Sequence, residues 1–110
     1  MTLQQLRYFS EVVRQDLNIS KAAEALHVSQ PGLSRQLQLL ERELEVELFV
    51  RNRKRLVRLS AAGSEIHRIA ESTLENARNI REAARDHARE RHGALRSQRR
   101  IPRRAMHCLT

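Results

Sequence analysis

Aromatic residues are scarce in this sequence. Two Phe, one Tyr and no Trp stand among 110 residues, so Leu, Ile, Val and Ala must supply the core, which suits a helical protein. One cysteine, Cys108, leaves no partner for an internal disulfide. Its neighbour His107 is too close in sequence for the usual ligand pair, so no metal is expected. No stretch approaches the roughly 18 apolar residues of a membrane span, and the N-terminus lacks a basic-then-apolar signal pattern. The expected location is the cytoplasm, with no membrane partner. His27, His67, His87 and His92 are scattered with no nucleophile or carboxylate pair beside them, so neither catalysis nor a cofactor is expected. Nothing provides a concave small-molecule site of the usual size, and no effector is expected to bind.

Only three Gly and two Pro are present, which makes the adjacent Pro31 and Gly32 of "SQPGLSRQL" informative. In a helix interior Pro costs about 3 kcal/mol and Gly about 1 kcal/mol relative to Ala. Both costs lapse in the first turn, whose N–H groups have no intrahelical partner to lose. Ser29 is a good N-cap immediately before it, and Gly32 lacks a side chain where another surface can approach.

What is abundant is positive charge, but its location matters. The chain is the size of one small domain with an extension, and its formal net charge is +8. Residues 1–88 carry 14 basic and 12 acidic side chains, a net of +2, whereas residues 89–110 carry seven Arg against Glu90, a net of +6. The excess is mostly a property of the tail.

Leu3, Leu6, Phe9 and Val13 mark one face of a first helix ending near Asn18, and "SKAAEALH", Ser20 to His27, reads as a short second helix with Ala22, Ala23 and Leu26 at its packing face. Leu33, Leu37, Leu40 and Leu44 form the buried stripe of a third. The runs "VELFV" and "RLVRLS" around "RNRKR" predict a small β-hairpin. The expected fold is mainly α: a winged helix-turn-helix over residues 1–60, a long linker helix over 61–90, and a basic tail over 91–110.

In a helix-turn-helix the second helix of the pair enters the DNA major groove by its N-terminal residues. Pro31 and Gly32 then form a low-profile tip whose N–H groups can face a phosphate. Ser29 and Ser34 flank them. Gln30 and Gln36 suit adenine edges, and Arg35 suits guanine or phosphate. The hairpin turn carries Arg51, Arg53, Lys54, Arg55 and Arg58 with no acid among them, as a wing lying on the DNA backbone or in the minor groove requires. Taken separately these signals are open: an Arg cluster also makes a solvated face, and helix-turn-helix geometry also occurs in domains that bind no DNA.

Ser60 is placed to cap the long last helix. Ile66, Ala70, Thr73, Ala77, Ile80 and Ala84 follow alternating steps of four and three, as a coiled-coil seam does, which predicts a homodimer through this helix. The alternative is a helix packed back on its own domain.

Residues 1 to about 88 resemble the DNA-binding domain and linker helix of LysR-type transcriptional regulators, through "LRYF", "KAAEALHVSQPGLSRQLQLLERELEVELFVR" and "LSAAGSEI". "QQLRYFSEVV" followed by "LNISKAAE" is most similar to the CysB-like branch, concerned with sulfur assimilation. The resemblance implies a dimeric, sequence-specific binder of two-half-site operators. It places Gln30, Pro31, Ser34, Arg35 and Gln36 on the DNA-contacting helix, and Arg51 and Arg53 in the wing. Glu45 stands where the family usually has Gly, and Ala61 where a first-turn Pro is common. The family's effector-binding domain has no counterpart here. The tail "RSQRRIPRRAMHCLT" has no period, and reads either as a disordered basic arm or as a shifted frame. With one base restored near Arg96, permitted codons give LRIATPHTQARYALPD, which resembles the opening of the effector domain in that branch. Two of its residues are forced: Met106-His107 can yield only Ala, and His107-Cys108 only Leu. The expectation is therefore a truncated regulator from a frameshifted gene. The functional alternative is an interaction protein that forms inactive mixed dimers with an intact regulator.

Overall fold

Thr2 starts the first helix with reciprocal hydrogen bonds: its Oγ1 accepts from the Gln5 N–H at 3.0 Å, while Gln5 Oε1 accepts from the Thr2 N–H at 3.2 Å. In the computed structural model, which describes residues 1–93, this cap opens α1 (Leu3–Arg14). The buried residues of α1 are Leu6, Phe9, Ser10 and Val12. The expected face is thus corrected: Leu3 is 41% exposed in the first turn, and the three-residue step from Phe9 brings Val12 inward ahead of Val13. The helix ends through Asp16 and Leu17, both left-handed, and the Leu17 N–H returns to the Val12 carbonyl at 2.8 Å.

Asn18 caps α2 (Ile19–Leu26), its Oδ1 accepting from the Lys21 N–H at 3.0 Å, so this helix starts and stops one residue before the expected span. Its small inward residues Ala22 and Ala23 let α1 and α3 (Gln30–Leu44) approach closely. Leu33, Leu37 and Leu40 of α3 complete a core with Leu48 and Phe49. Phe9 meets Phe49 edge to face, with centroids 5.6 Å apart.

Glu45 ends α3 in the left-handed conformation (φ 59°), the backbone position for which Gly is best suited. The chain then makes β1 (Phe49–Asn52) and β2 (Arg55–Leu59), an antiparallel pair joined by Arg53 and Lys54. The strands sit nearer the basic turn than the apolar runs predict. Val46 and Glu47 fall in the bend after Glu45, and backbone pairing continues through Arg51 and Asn52 regardless of side-chain polarity. A bulge resets the register: Val50 faces Arg58 and Arg51 faces Leu56, leaving Val57 outside the pairing. Leu56 and Leu59, three residues apart, can then both pack on the core.

Ser60 caps α4 (Ala61–Gly93), accepting from the Gly63 N–H at 2.8 Å and donating to the Glu47 carbonyl at 2.6 Å. A Cβ on Gly63 would lie 2.0 Å from the Leu48 carbonyl oxygen, so only glycine permits this approach. The helix outlasts the expected linker by three residues. Residues 94–110, with the shifted-frame reading, His107 and Cys108, lie outside the described residues. The chain divides into one compact unit, Met1–Glu75, and a second beginning at Asn76. Among the described residues no helix is long and apolar enough to cross a membrane, and no cluster of three His, Cys, Asp or Glu side chains is placed to hold a metal.

Candidate nucleic-acid interface

The turn between α2 and α3 is compact because His27 is left-handed (φ 60°), which lets the Val28 N–H bond the Ala23 carbonyl at 3.0 Å. Ser29 then caps α3, with the Gly32 N–H donating to its Oγ at 3.0 Å and Pro31 in the first turn. Pro31 has no N–H and that of Gly32 is taken by Ser29 Oγ, so neither of these two residues offers a phosphate a free backbone donor. A Cβ on Gly32 would sit 2.9 Å from Ser29 Oγ, so the absence of a side chain there serves the cap.

Burying Leu33, Leu37 and Leu40 fixes the rotation of α3 and hence the side chains it turns outward. Ser29, Gln30, Pro31, Arg35 and Gln38 are exposed, and Ser34 is half-buried at the edge of the same face. Gln30 is oriented by α2, its Nε2 donating to Ser20 Oγ at 2.8 Å, which leaves the amide oxygen outward. Gln36 does not join this face. It turns toward α1, where its Oε1 accepts from Gln5 Nε2 at 3.0 Å, because two residues of helical rotation carry it to the flank opposite Ser34. Gln38, one helical turn beyond Ser34, lies on the same outer face, as helical spacing predicts.

Across from this face stands the hairpin turn, with Arg53 left-handed (φ 63°) and exposed and Lys54 exposed beside it. Ser34 and Gln38 on one wall and Arg51, Arg53 and Lys54 on the other enclose a groove of about 340 Å³, floored by Ile19, Leu37 and Leu56. No Asp or Glu lines it. Arg51 differs from its neighbours in being held from behind by Glu41, Nη1 and Nη2 lying 3.3 and 3.2 Å from its carboxylate oxygens. Its guanidinium also sits 5.7 Å over the Phe49 ring.

The predicted seam of α4 divides. Ala70 is buried in the core of the Met1–Glu75 unit and Ile66 packs against it, so packing on the helix's own domain uses the first two seam positions. Thr73 and Ala77 are half-buried, Thr73 Oγ1 donating to the Ile69 carbonyl at 2.9 Å. Ile80, 69% exposed, and Ala84 remain on the surface.

Three helices around one small core, with an exposed polar third helix flanked by a basic hairpin, define a winged helix-turn-helix domain. A family model described as "Bacterial regulatory helix-turn-helix protein, lysR family" matches residues 3–64, and the chain belongs to that family. It is 46% identical over 96 residues to the HTH-type transcriptional regulator CysB of Haemophilus influenzae, covering 87% of this chain and 30% of that protein. To the regulator SsuR of Burkholderia cenocepacia it is 42% identical over 95 residues, covering 86% of this chain and 31% of that one. The chain thus spans under a third of the length of these two relatives. Among solved structures, the DNA-binding domain of CbnR in complex with DNA superposes with a TM-score of 0.73 at 40% identity, over 80% of this chain and 99% of that one.

Proposed function

We propose that this chain binds double-stranded DNA sequence-specifically as a dimer, acting as the DNA-binding region of a transcriptional regulator of the CysB-like branch, with operators in sulfur metabolism. Residues 1–60 form the reading unit and α4 the linker through which two copies pair. The groove between the outer face of α3 and the hairpin turn carries this reading: hydrogen-bonding side chains on one wall, cations on the other, and no acid between them. α3 enters the major groove with Gln30 and Arg35 toward base edges and with Ser29, Pro31 and Ser34 close to the backbone. Arg53 and Lys54 lie on the phosphates beside it. Gln36 serves as a brace between α3 and α1 instead of a base reader. The names of the relatives, both transcriptional regulators, and the DNA bound by the CbnR domain support the same reading. A regulator of this kind works in the cytoplasm and has no catalytic role.

The test is selection of the purified 110-residue chain against random duplex DNA. Enrichment of a sequence with two related half-sites, bound well above scrambled duplex at moderate salt, is the expected result. Equal retention of all sequences would reject specific recognition.

A further inference from the structure

The first turns of α2 and α3 are linked side chain to side chain: Gln30 Nε2 donates to Ser20 Oγ at 2.8 Å, across ten residues of sequence. The backbone is fixed on both sides of this contact. Asn18 caps α2 just before Ser20, and Ala22 and Ala23 are buried just after it. Ser29 caps α3 just before Gln30, and Pro31 follows it. Ser20 and Gln30 are both exposed, so the contact lies on the surface and not in the core. A glutamine amide carries two N–H donors at one end and an acceptor oxygen at the other, and half a turn of its last bond exchanges them. Left to itself, such a side chain suits either kind of partner. With one N–H committed to Ser20, it keeps one N–H and its oxygen for a ligand. In the major groove adenine offers N6–H and N7, a donor beside an acceptor, whereas guanine offers O6 and N7, two acceptors. The amide held by Ser20 therefore matches adenine, and toward guanine it would set oxygen against O6.

We infer that Ser20 is a positioning residue whose hydroxyl holds the Gln30 amide in the polarity that accepts adenine and rejects guanine. Base choice at one operator position is then set from α2 as well as from the helix in the groove. The inference rests on the reading of α3 given above. It adds a residue that acts on specificity through Gln30, without contact of its own with a base. The contact is worth most on the complex, where water no longer competes for the amide and a wrong polarity leaves polar groups unpaired.

The test uses the full chain on the selected operator and on its single-base variants at the position whose preference Gln30→Ala relaxes. Wild type is expected to prefer adenine there. Ser20→Ala is expected to lose about threefold or more of the preference for adenine over guanine at that position, the scale of one hydrogen bond. Preferences elsewhere in the half-site, and the urea midpoint, should stay near wild type. Ser20→Thr keeps the hydroxyl and should restore the preference. Ser20→Asp can only accept, and its charge suits the first turn of a helix but repels phosphate. It should bind every duplex more weakly while still choosing adenine over guanine, a separation of affinity from base choice that a role in folding alone would not produce. An unchanged adenine preference in Ser20→Ala would overturn the inference. So would an equal loss at every position, a loss in Ser20→Asp as large as in Ser20→Ala, or guanine preferred by wild type. If Gln30→Ala relaxes no position, base reading by Gln30 fails and the inference with it. Wild type that prefers no duplex would instead reject the proposed function itself.

Discussion

Glu41 and Arg51 form the joint between the exposed helix and the wing: one carboxylate takes the Leu48 N–H at 2.7 Å and both ends of the Arg51 guanidinium at 3.2 and 3.3 Å. Glu41 is 11% exposed and Arg51 30%, so the pair is sheltered enough to matter for shape. Arg51 therefore holds the wing in place, which on the proposed reading leaves Arg53 and Lys54, both exposed, as the cations that would meet DNA. Replacing Arg53 or Lys54 by Ala is expected to flatten the dependence of log affinity on log salt by about 0.9 for each lost phosphate contact. Arg51→Ala and Glu41→Gln should weaken binding to all sequences while leaving that slope near wild type. Salt titrations decide it: an Arg51→Ala slope as flat as that of Arg53→Ala would return Arg51 to the DNA.

Base reading is predicted at the outer face of α3. Arg35→Ala and Gln30→Ala are each expected to cost roughly 1 to 3 kcal/mol on the selected operator and to relax preference at one position of each half-site. Gln36→Ala should alter stability more than preference, since its partner is Gln5. Affinities across a set of single-base operator variants separate these outcomes, and a Gln36→Ala variant with relaxed base choice would contradict its placement against α1.

The two glycines with close neighbours should respond to Ala to very different extents. At Gly63 the added Cβ meets backbone at 2.0 Å, and a loss of about 3 kcal/mol is expected from overpacking. At Gly32 it meets the movable Ser29 hydroxyl at 2.9 Å, so at most the cap, about 1 kcal/mol, is lost. Urea denaturation should show a large drop for the first and a small one for the second.

Glu45→Gly is expected to stabilise the fold by about 1 kcal/mol, because Glu45 is exposed and left-handed and loses only strain on replacement. A lowered urea midpoint would show that the Glu45 side chain contributes more than its backbone costs.

Disruption of the proposed dimer belongs at Ile80 and not at Ile66. Ile66 packs on the core, so Ile66→Asp should unfold the Met1–Glu75 unit, whereas Ile80→Asp, at a position 69% exposed, should leave its urea midpoint unchanged. Binding to a two-half-site operator should then fall to the level of one half-site. Sedimentation and operator titration of Ile80→Asp check this; a dimer that survives would place the interface elsewhere on the molecule.

The sequence by itself determined what depends on neighbours along the chain. Ser29 and Ser60 are read as caps because a hydroxyl three residues before an N–H closes the same bond wherever the helix lies. The Leu33, Leu37 and Leu40 stripe follows from helical periodicity, whereas Glu45 was marked only by the family resemblance, as a residue standing where Gly is usual. Only the tertiary structure decided the matters that depend on contacts between elements. Gln36 and Ser34 look alike as polar residues of one helix, but the packing of α1 claims the first and leaves the second beside the groove. Arg51 and Arg53 are both cations of one hairpin, and Glu41, ten residues earlier, takes the first. Ile66 and Ile80 share a seam by spacing, but only Ile66 lies where the core can reach it. A local pattern records which face a residue occupies; what lies opposite that face is fixed by chain brought from elsewhere in the fold.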